Sequence, residues 1–361
     1  MSKIGLTLDE LDTPFLWTDV AKLDANIQSM AAYFRNAGVG WRPHTKGIKT
    51  PAIAHKLIAA GALGLTCAKL GEAEVMVASG IRDILIANQV VGKHKYARLA
   101  ALQHQANVKA AVDSPATLPG LSAAAQAAGV EIGLLVEVNS GMNRAGTEPG
   151  EAAVALARQV QATPGLRLDG LMSWEGHTLA LPESERSAGI HKAVGLLLAS
   201  VQACRDAGLP VGIVSCGGSG TMTVTPHIPG ITEMQAGGAI FGDMQYQGLH
   251  APTQPALFVR VVVTSRPTPE RIIVDAGWKT LPAWLTQPVP IGVADVVKFT
   301  GSAEHGTVTL SKANDTLHVG DFLDFIVGYG DNTVFLHDEI IGVRDGRVES
   351  VWAVQGRGKL T

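Results

Sequence analysis

The sequence contains few cysteines and no long apolar run. Among its 361 residues the three cysteines, Cys67, Cys204 and Cys216, are far apart in the chain. They are too few for a disulfide framework or a cysteine-rich zinc cluster, and they fit a reducing compartment. No apolar stretch has the length of a membrane span, and the N-terminus carries acids early, unlike a signal peptide. These absences predict a cytoplasmic protein that does not enter a membrane.

The chain also lacks an excess of basic residues. It has 29 Lys and Arg against 32 Asp and Glu, which gives a formal net charge of −3. A nucleic-acid binder normally carries a basic stripe, so nucleic acid is excluded as the expected partner. An apolar content of 46% is typical of a globular enzyme or binding protein, and the length favours one large domain plus a smaller one.

The first part of the chain alternates short apolar runs with alanine-rich stretches of helical character. The predicted strands are Val39–Arg42, Leu63–Cys67, Asp83–Ala87, Val108–Val112, Glu131–Val138, Leu168–Trp174, Gly212–Ser215 and Ile231–Gln235. Eight strands, each followed by a helix or a tight turn, predict a closed (β/α)8 barrel over residues 19–250. A doubly wound open sheet is the structural alternative.

Helical stretches become scarce after about residue 251, where the pattern changes to short runs rich in β-branched residues. The predicted strands there are Leu257–Ser265, Arg271–Asp275, Gly306–Leu310, Phe322–Ile326, Thr333–Leu336, Glu339–Arg344 and Arg347–Ala353. The pair Asp345-Gly346 between two of these runs is a strong hairpin signal. Residues 251–361 are therefore predicted to form an all-β domain, joined by a strand near the N-terminus at residues 12–18.

Lys46 follows the first predicted barrel strand, in the run Trp41-Arg42-Pro43-His44-Thr45-Lys46-Gly47. In α/β folds the chemistry is placed just beyond the strand ends. A partly shielded lysine can lose its proton near neutral pH and attack an aldehyde, as a Schiff base with pyridoxal phosphate (PLP) requires. A solvated surface lysine is the alternative interpretation of this residue alone.

Two glycine-rich segments follow late barrel strands and predict an anion site. They are Ser215-Cys216-Gly217-Gly218-Ser219-Gly220-Thr221 and Gln235-Ala236-Gly237-Gly238. Glycines let backbone amides converge on one point, and phosphate sites in barrels often follow the seventh and eighth strands. Plain glycine turns are the alternative for either segment.

Three further side chains follow barrel strands and have types suited to catalysis. Arg144 lies in a loop where a fixed cation can face an anionic oxygen, with a surface arginine as the alternative. Glu175 and His177 are candidate general acid and base, with a capping acid and a solvated histidine as the alternatives. In the β part, Asp331, His337 and Asp338 are types that bind divalent cations, although acids in turns also serve structural roles.

Taken together, these motifs identify a resemblance that covers nearly the whole chain. It rests on the ordered segments Asp12-Thr13-Pro14, Arg42-Pro43-His44-Thr45-Lys46, Gly64-Leu65-Thr66-Cys67, Glu72-Ala73-Glu74, Ala87-Asn88-Gln89-Val90-Val91-Gly92, Val136-Glu137-Val138, Asn143-Arg144-Ala145-Gly146, Gly217-Gly218-Ser219-Gly220-Thr221, Asp275-Ala276-Gly277, Leu336-His337-Asp338-Glu339 and Val343-Arg344-Asp345-Gly346. The chain resembles the D-threonine aldolase and D-serine dehydratase family, which has the alanine racemase type of PLP fold.

The resemblance implies a barrel joined to a β domain, PLP on Lys46, and a homodimer. It implies that Arg144 faces the phenolic oxygen of the cofactor. The other residues that it places at the cofactor, chiefly at its phosphate, are His44, Ser215, Gly217, Gly218, Ser219, Gly220, Gly237 and Gly238.

The chain departs from the family pattern at three places. The family's divalent cation is usually bound by a histidine, one intervening residue, and a cysteine or aspartate; here Tyr329-Gly330-Asp331 stands at that place. A neutral phenol is a poor ligand, so a cation at Asp331 and Tyr329 is expected to bind more weakly or with changed geometry. In the barrel, Trp174-Glu175-Gly176 replaces a motif that begins with tyrosine, and Gly238-Ala239 replaces a Ser-Tyr pair.

The leading functional hypothesis is a PLP-dependent lyase that acts on a β-hydroxy-D-amino acid by retro-aldol cleavage. The retained Asp331 favours this aldolase over the dehydratase alternative, because dehydratase relatives tend to have cysteine there. An amino acid racemase is a third enzyme hypothesis. A non-catalytic PLP carrier is the hypothesis of a different class, although such proteins lack the β domain.

Overall fold

The computed structural model describes residues 2–361, which form two compact units that are interleaved in sequence. The barrel unit comprises Ala31–Lys46, Leu57–Gly237 and Lys359–Thr361. The β unit comprises the residues up to Met30, Gly47–Lys56 and Gly238–Gly358. The domain boundary near residue 250 stays a prediction.

The strands and helices are as follows. The strands are β1 Phe15–Asp19, β2 Gly40–Trp41, β3 Leu65–Cys67, β4 Asp83–Gln89, β5 Asn107–Val112, β6 Ile132–Glu137, β7 Leu166–Met172, β8 Ile213–Cys216, β9 Glu233–Met234, β10 Leu257–Thr268, β11 Arg271–Val274, β12 Val289–Pro290, β13 Val296–Gly301, β14 Gly306–Leu310, β15 Phe322–Ile326, β16 Glu339–Arg344 and β17 Arg347–Ala353. The α-helices are α1 Val20–Asn36, α2 Pro51–Ala59, α3 Leu70–Ala78, α4 Lys93–Leu102, α5 Leu118–Ala128, α6 Glu151–Ala162, α7 Glu183–Asp206, α8 Met244–Gln247 and α9 Gly330–Thr333.

The barrel unit contains eight parallel strands in the order β2-β9-β8-β7-β6-β5-β4-β3. The two ends of this order meet, because Leu63 N donates to Trp41 O at 2.8 Å and Thr66 N donates to Pro43 O at 2.9 Å. A parallel bridge between His44 and Thr66 continues this contact. The predicted (β/α)8 fold class is confirmed, and all eight predicted barrel strands occur with small changes at their ends.

Continuous burial explains why these runs form parallel strands. All six residues of β6 are buried, as expected for strands covered on both faces. One apolar cluster contains Leu85, Ala111, Leu135 and Met172 from four neighbouring strands. Such packing fills the barrel and leaves its chemistry to the loops beyond the strand ends.

A group of paired charges joins the residue after β2 to the first residues of β4 and β9. Arg42 Nε donates to both carboxylate oxygens of Glu233, the first residue of β9, at 2.9 and 3.0 Å. Its guanidinium also pairs with Asp83, the first residue of β4, which accepts from Lys109 Nζ at 3.0 Å. Although burial acts in the other direction, Arg42 and Lys109 hold the pKa of Asp83 below its usual value.

The β unit contains a nine-stranded sheet whose main path is β13-β14-β11-β10-β1-β16-β17, with β15 on β10 and β12 on β15. The expected N-terminal strand is present, since β1 pairs antiparallel with β10 and parallel with β16. The predicted hairpin is also present between β16 and β17, and Asp345 and Gly346 both have positive φ, at 50° and 76°.

One strand prediction in this unit is wrong. Thr333–Leu336 was expected to be a strand because it contains β-branched residues, but it ends α9 and continues as a 3₁₀ turn. The hydroxyl of Thr333 donates to Tyr329 O at 2.9 Å, a local bond that favours the helical turn over a strand. Strands β12 and β13 were not predicted.

Within residues 2–361 every helix is too short or too polar to span a bilayer. The cytoplasmic location stays a prediction.

Candidate active site

The barrel brings most of the predicted site residues to one rim. The carboxyl ends of parallel strands share an edge, so the loops after β2, β6, β7, β8 and β9 all begin there. These loops carry His44, Lys46, Arg144, Glu175, His177, Gly217, Gly218, Ser219, Gly220 and Gly237, and Ser215 lies near the end of β8. Gly238 directly follows Gly237 and begins the last segment of the β unit.

Lys46 lies in the short 3₁₀ turn Thr45–Gly47, and its side chain is exposed. Its amide donates to His44 Nδ1 at 3.3 Å, and the hydroxyl of Thr45 donates to Thr66 O at 3.0 Å, which fixes the turn. A β-carbon at Gly237 would stand only 2.2 Å from His44 O, so the loop after β9 touches the backbone before Lys46. Glycine is required there by this close approach.

Arg144 is about half exposed, with its side chain at 52% relative accessibility, and its guanidinium lies 3.5 Å from Glu137 Oε1. Glu137 is buried at the end of β6, and its other oxygen accepts from Gln89 Nε2 at 2.6 Å. Burial raises the pKa of Glu137 above its usual value. Glu137 and Gln89 were not predicted as site residues, although a carboxylate ending an otherwise apolar buried strand was a visible signal.

The first two backbone amides of the loop after β8 donate hydrogen bonds to side chains of the protein. Gly217 N donates to Glu175 Oε2 at 3.2 Å, and Gly218 N donates to Thr221 Oγ1 at 3.2 Å. Gly217 has a φ of 73°, and a β-carbon at Gly218 would stand 2.8 Å from the Trp174 ring. Turn geometry and ring packing therefore explain these two glycines without an anion.

Ser215, Ser219 and Gly220 are also predicted to hold the phosphate, and they lie before and after these two glycines. Ser219 and Gly220 form the next part of the loop, and the Ser219 side chain is buried. Ser215 Oγ accepts from Gln235 Nε2 at 3.0 Å, so this hydroxyl links the loops after β8 and β9. The phosphate role of all these residues stays a prediction.

Glu175 is fully buried and supports the glycine loop. Its Oε1 accepts from the hydroxyls of Thr221 at 2.8 Å and Thr225 at 2.6 Å, and its Oε2 accepts from Gly217 N. Both carboxylate oxygens thus accept hydrogen bonds from this loop. This geometry suits a positioning residue better than the predicted acid or base.

His177 differs from Glu175 in its contacts. Its ring is partly buried, and Nε2 would lie 3.2 Å from a β-carbon at Gly141, in the loop after β6. Its Nδ1 is buried and has no hydrogen-bond partner within residues 2–361. A buried imidazole nitrogen without a protein partner calls for an explanation, and a hydrogen bond to a bound substrate or water would provide one.

The two residues predicted for a cation lie in the β unit and contact each other. The hydroxyl of Tyr329 donates to Asp331 Oδ2 at 2.7 Å. Tyr246, which the sequence reasoning missed, hydrogen-bonds to Tyr329 with their rings edge to face at 5.9 Å. Burial and the neighbouring Asp331 hold the pKa of Tyr329 well above its usual value, so the phenol is neutral.

Asp243 completes this group of acidic and phenolic side chains. Its carboxylate accepts from Gly330 N at 2.6 Å and from Tyr246 N at 3.1 Å, and burial together with Asp331 raises its pKa to about 8. The sequence signal for Asp243 was its position as N-cap of a short helix. His337 and Asp338 do not join this group: His337 Nε2 contacts Thr280 O, and Asp338 pairs with Arg357.

The barrel rim fits pyridoxal phosphate. Lys46 has an amine that could take the aldehyde, Arg144 a cation that could face the phenolic oxygen, and the two glycine turns have amides and hydroxyls that could hold a phosphate; these residue roles stay predictions. The side chains of the β unit fit a divalent cation less well than those of the barrel rim fit PLP. No three of the His, Cys, Asp and Glu side chains in residues 2–361 are grouped so that they could hold a metal ion.

Comparison with known proteins agrees with this description. Residues 18–245 match the alanine racemase N-terminal domain, and residues 256–343 match the putative serine dehydratase domain. The chain is 35% identical to a D-threonine aldolase of Arthrobacter sp over 98% of its length and 95% of the relative. It is 31% identical to a D-threo-3-hydroxyaspartate dehydratase of Delftia sp. (strain HT23) over 76% of its length and 74% of the relative.

A solved structure extends the similarity to the whole fold. The crystal structure of D-threonine aldolase from Filomicrobium marinum superposes with a TM-score of 0.95, at 36% identity, and covers all of both chains. The fold is that of a PLP-dependent lyase. The chain belongs to the family of alanine racemase fold that contains these D-threonine aldolases and the related dehydratases.

Proposed function

We propose that this chain cleaves the Cα–Cβ bond of a β-hydroxy-D-amino acid, releasing an aldehyde and a smaller amino acid. The observation that carries the proposal is that Lys46, Arg144 and the two glycine turns all follow the carboxyl ends of barrel strands, after β2, β6, β8 and β9. Similarity to the aldolases over nearly the whole chain supports the same reaction.

Each rim residue has a separate task in this proposal. PLP, when bound, supplies the electron sink for the bond cleavage. Lys46 holds the cofactor aldehyde, and Arg144, steadied by Glu137, faces the phenolic oxygen. Ser215, Ser219, Gly220 and the Gly237-Gly238 turn hold the phosphate. Glu175 keeps the loop from Gly217 to Thr225 in shape.

The proton of the substrate's β-hydroxyl needs an acceptor, and His177 is the better of the two predicted candidates. Both oxygens of Glu175 already accept hydrogen bonds from the glycine loop. His177 keeps Nδ1 without a partner within residues 2–361. We therefore assign the proton acceptor to His177 and a positioning role to Glu175.

Borohydride reduction tests the cofactor assignment. Reducing the PLP-loaded protein and mapping its peptides by mass spectrometry should place the cofactor's mass on Lys46. Lys46→Arg should remove the label while leaving the far-ultraviolet circular dichroism unchanged. A label on another lysine in the wild-type protein contradicts the assignment.

Product analysis separates the aldolase from the dehydratase, which the Delftia relative makes the second candidate. With D-threonine, acetaldehyde and glycine support the aldolase, whereas 2-oxobutyrate and ammonia support the dehydratase. The panel should include D-serine and D-3-hydroxyaspartate. Loss of optical rotation without either product indicates a racemase, and a cofactor spectrum indifferent to every amino acid indicates a carrier.

We also infer a homodimer in the cytoplasm. Three large apolar side chains of one β-unit segment are exposed, namely Trp278, Trp284 and Leu285, at 54%, 70% and 62%. Clustered exposure of this kind is typical of a surface covered by a partner, and a second copy is the partner that the family resemblance implies. The buried, disulfide-free cysteines suit a reducing compartment. Light scattering after gel filtration should give twice the chain mass of 37.7 kDa.

A further inference from the structure

Four residues of the β unit form one group, here called the tyrosine–aspartate cluster: Asp243, Tyr246, Tyr329 and Asp331. Three of the side chains are hydrogen-bonded to one another, and Asp243 joins them through backbone amides. Tyr246 hydrogen-bonds to Tyr329, and Tyr329 donates to Asp331 Oδ2. The carboxylate of Asp243 accepts hydrogen bonds from the backbone amides of Gly330 and Tyr246. Asp243 is fully buried, and Tyr246 nearly so. The cluster is therefore a packed arrangement and not a set of solvated side chains.

The hydrogen bonds of the cluster occupy the atoms that a cation would need. Both oxygens of Asp243 accept backbone amides, and Oδ2 of Asp331 accepts the phenol of Tyr329. The Tyr329 hydroxyl has one proton, which it donates to Asp331. Zinc, copper and nickel favour imidazole or thiolate ligands, whereas Mg²⁺, Ca²⁺ and Mn²⁺ take about six oxygen ligands. The cluster contains neither histidine nor cysteine.

We propose that this chain does not bind a divalent cation at Asp331 and that the Tyr329–Asp331 hydrogen bond stands in the place of the metal. The phenol fixes the rotamer of Asp331 so that its Oδ1 lies against Gly47, the residue after Lys46. The consequence for catalysis, turnover without metal, rests on the proposed lyase function; the binding claim does not.

Manganese binding to the PLP-loaded protein tests the proposal. After treatment with EDTA and desalting, wild type and Tyr329→His are titrated with Mn²⁺ alone and followed by calorimetry or by electron paramagnetic resonance. Wild type should show no saturable binding over the range that saturates the variant. Tyr329→His should bind one Mn²⁺ per chain at least about tenfold more tightly, since replacing even supporting groups of a metal site changes affinity by that factor.

Two further variants identify the ligands. Adding Asp331→Asn to Tyr329→His should abolish the acquired binding. Tyr329→Phe, which removes the hydroxyl without supplying a ligand, should bind no more Mn²⁺ than wild type. Tyr329→Phe and Tyr329→His both lose the Tyr329–Asp331 hydrogen bond, but only Tyr329→His gains an imidazole. Binding by Tyr329→His alone would therefore be due to the imidazole.

Stoichiometric Mn²⁺ binding by wild type that Asp331→Asn removes would overturn the proposal. So would a Tyr329→His protein that is folded, by its circular dichroism, and still does not bind. If that variant does not fold, the comparison of wild type with Asp331→Asn decides the question. In the activity assay, EDTA should leave wild-type product formation unchanged. A protein without lyase activity would refute the proposed function and leave the binding result valid.

Discussion

The carboxylate of Asp331 occupies the space beside Gly47 that a side chain would fill. A β-carbon at Gly47 would stand 2.0 Å from Asp331 Oδ1 and 3.3 Å from its Cα, so Asp331 would have to move to admit it. Because Gly47 directly follows Lys46, the position of this carboxylate is tied to the turn that carries the lysine.

We expect Gly47→Ala to lower kcat/KM by roughly tenfold or more, because an ångström-scale displacement of a catalytic group is costly. The backbone conformation of Gly47 suits alanine, since Gly47 does not have a positive φ. Steady-state kinetics with the substrate identified by product analysis provides the measurement. Gly195→Ala is the matched control: nothing lies within 4 Å of its β-carbon, so activity should not change. Equal kinetics for both variants and wild type would contradict this explanation.

Glu175→Ala should weaken cofactor binding, because it leaves three donors of the glycine loop without their acceptor. We expect the dissociation constant for PLP to rise roughly tenfold, equivalent to about 1.4 kcal/mol. Thr221→Val should shift it in the same direction, and Thr221→Ser, which keeps the hydroxyl, should not. Fluorescence titration of the apoprotein with PLP measures all three.

The alternative role of Glu175 gives a different pattern. If its carboxylate were the general base, Glu175→Gln would reduce kcat by orders of magnitude while leaving PLP affinity and the Thr221 variants unaffected. A normal kcat in the PLP-saturated Gln variant would support the positioning role.

The framework of the site was predictable from sequence because it depends on strand order alone. Apolar runs separated by helices fix where each strand ends, and Lys46, Arg144 and Glu175 all follow such ends. Whether a side chain then faces the barrel mouth or its own loop depends on long-range hydrogen bonds. Glu175 bonds to residues about 40 to 50 positions away, and nothing in its local sequence indicates them.

The tyrosine–aspartate cluster shows the same limit more strongly. Tyr329 and Asp331 are separated by one residue and were predicted together, whereas Asp243 lies 87 positions from Gly330, whose amide it accepts. The strand predicted at Thr333–Leu336 is instead the end of α9 and a following 3₁₀ turn, because a local hydroxyl bond outweighs β propensity. Local patterns therefore identified the motif but not the packing that determines its chemistry.

The pKa of Glu137 predicts the pH dependence of stability. Burial raises it in the folded state, so the folded protein binds a proton more readily than the unfolded chain. The stability contribution of Glu137 therefore falls as pH rises through its ordinary value of 4.5 toward its folded value. Glu137→Gln removes this loss while keeping an acceptor for Gln89. We expect the variant to gain stability relative to wild type between acidic and neutral pH, measured by urea unfolding. A difference that is constant with pH would contradict the assignment.

The buried pair of Arg42 and Glu233 should contribute strongly to the stability of the barrel unit. Both side chains are only 4% exposed, and Glu233→Ala leaves a guanidinium buried with Asp83 as its one remaining carboxylate partner in residues 2–361. Breaking a buried pair by removing one member costs about 3 kcal/mol, because the other charge stays buried without full compensation. Urea unfolding at neutral pH measures this loss. Glu304→Ala breaks an exposed pair with Lys279, at 53% and 60% exposure, and should change stability by less than about 1 kcal/mol. Similar losses for the two variants would show that burial does not set the cost.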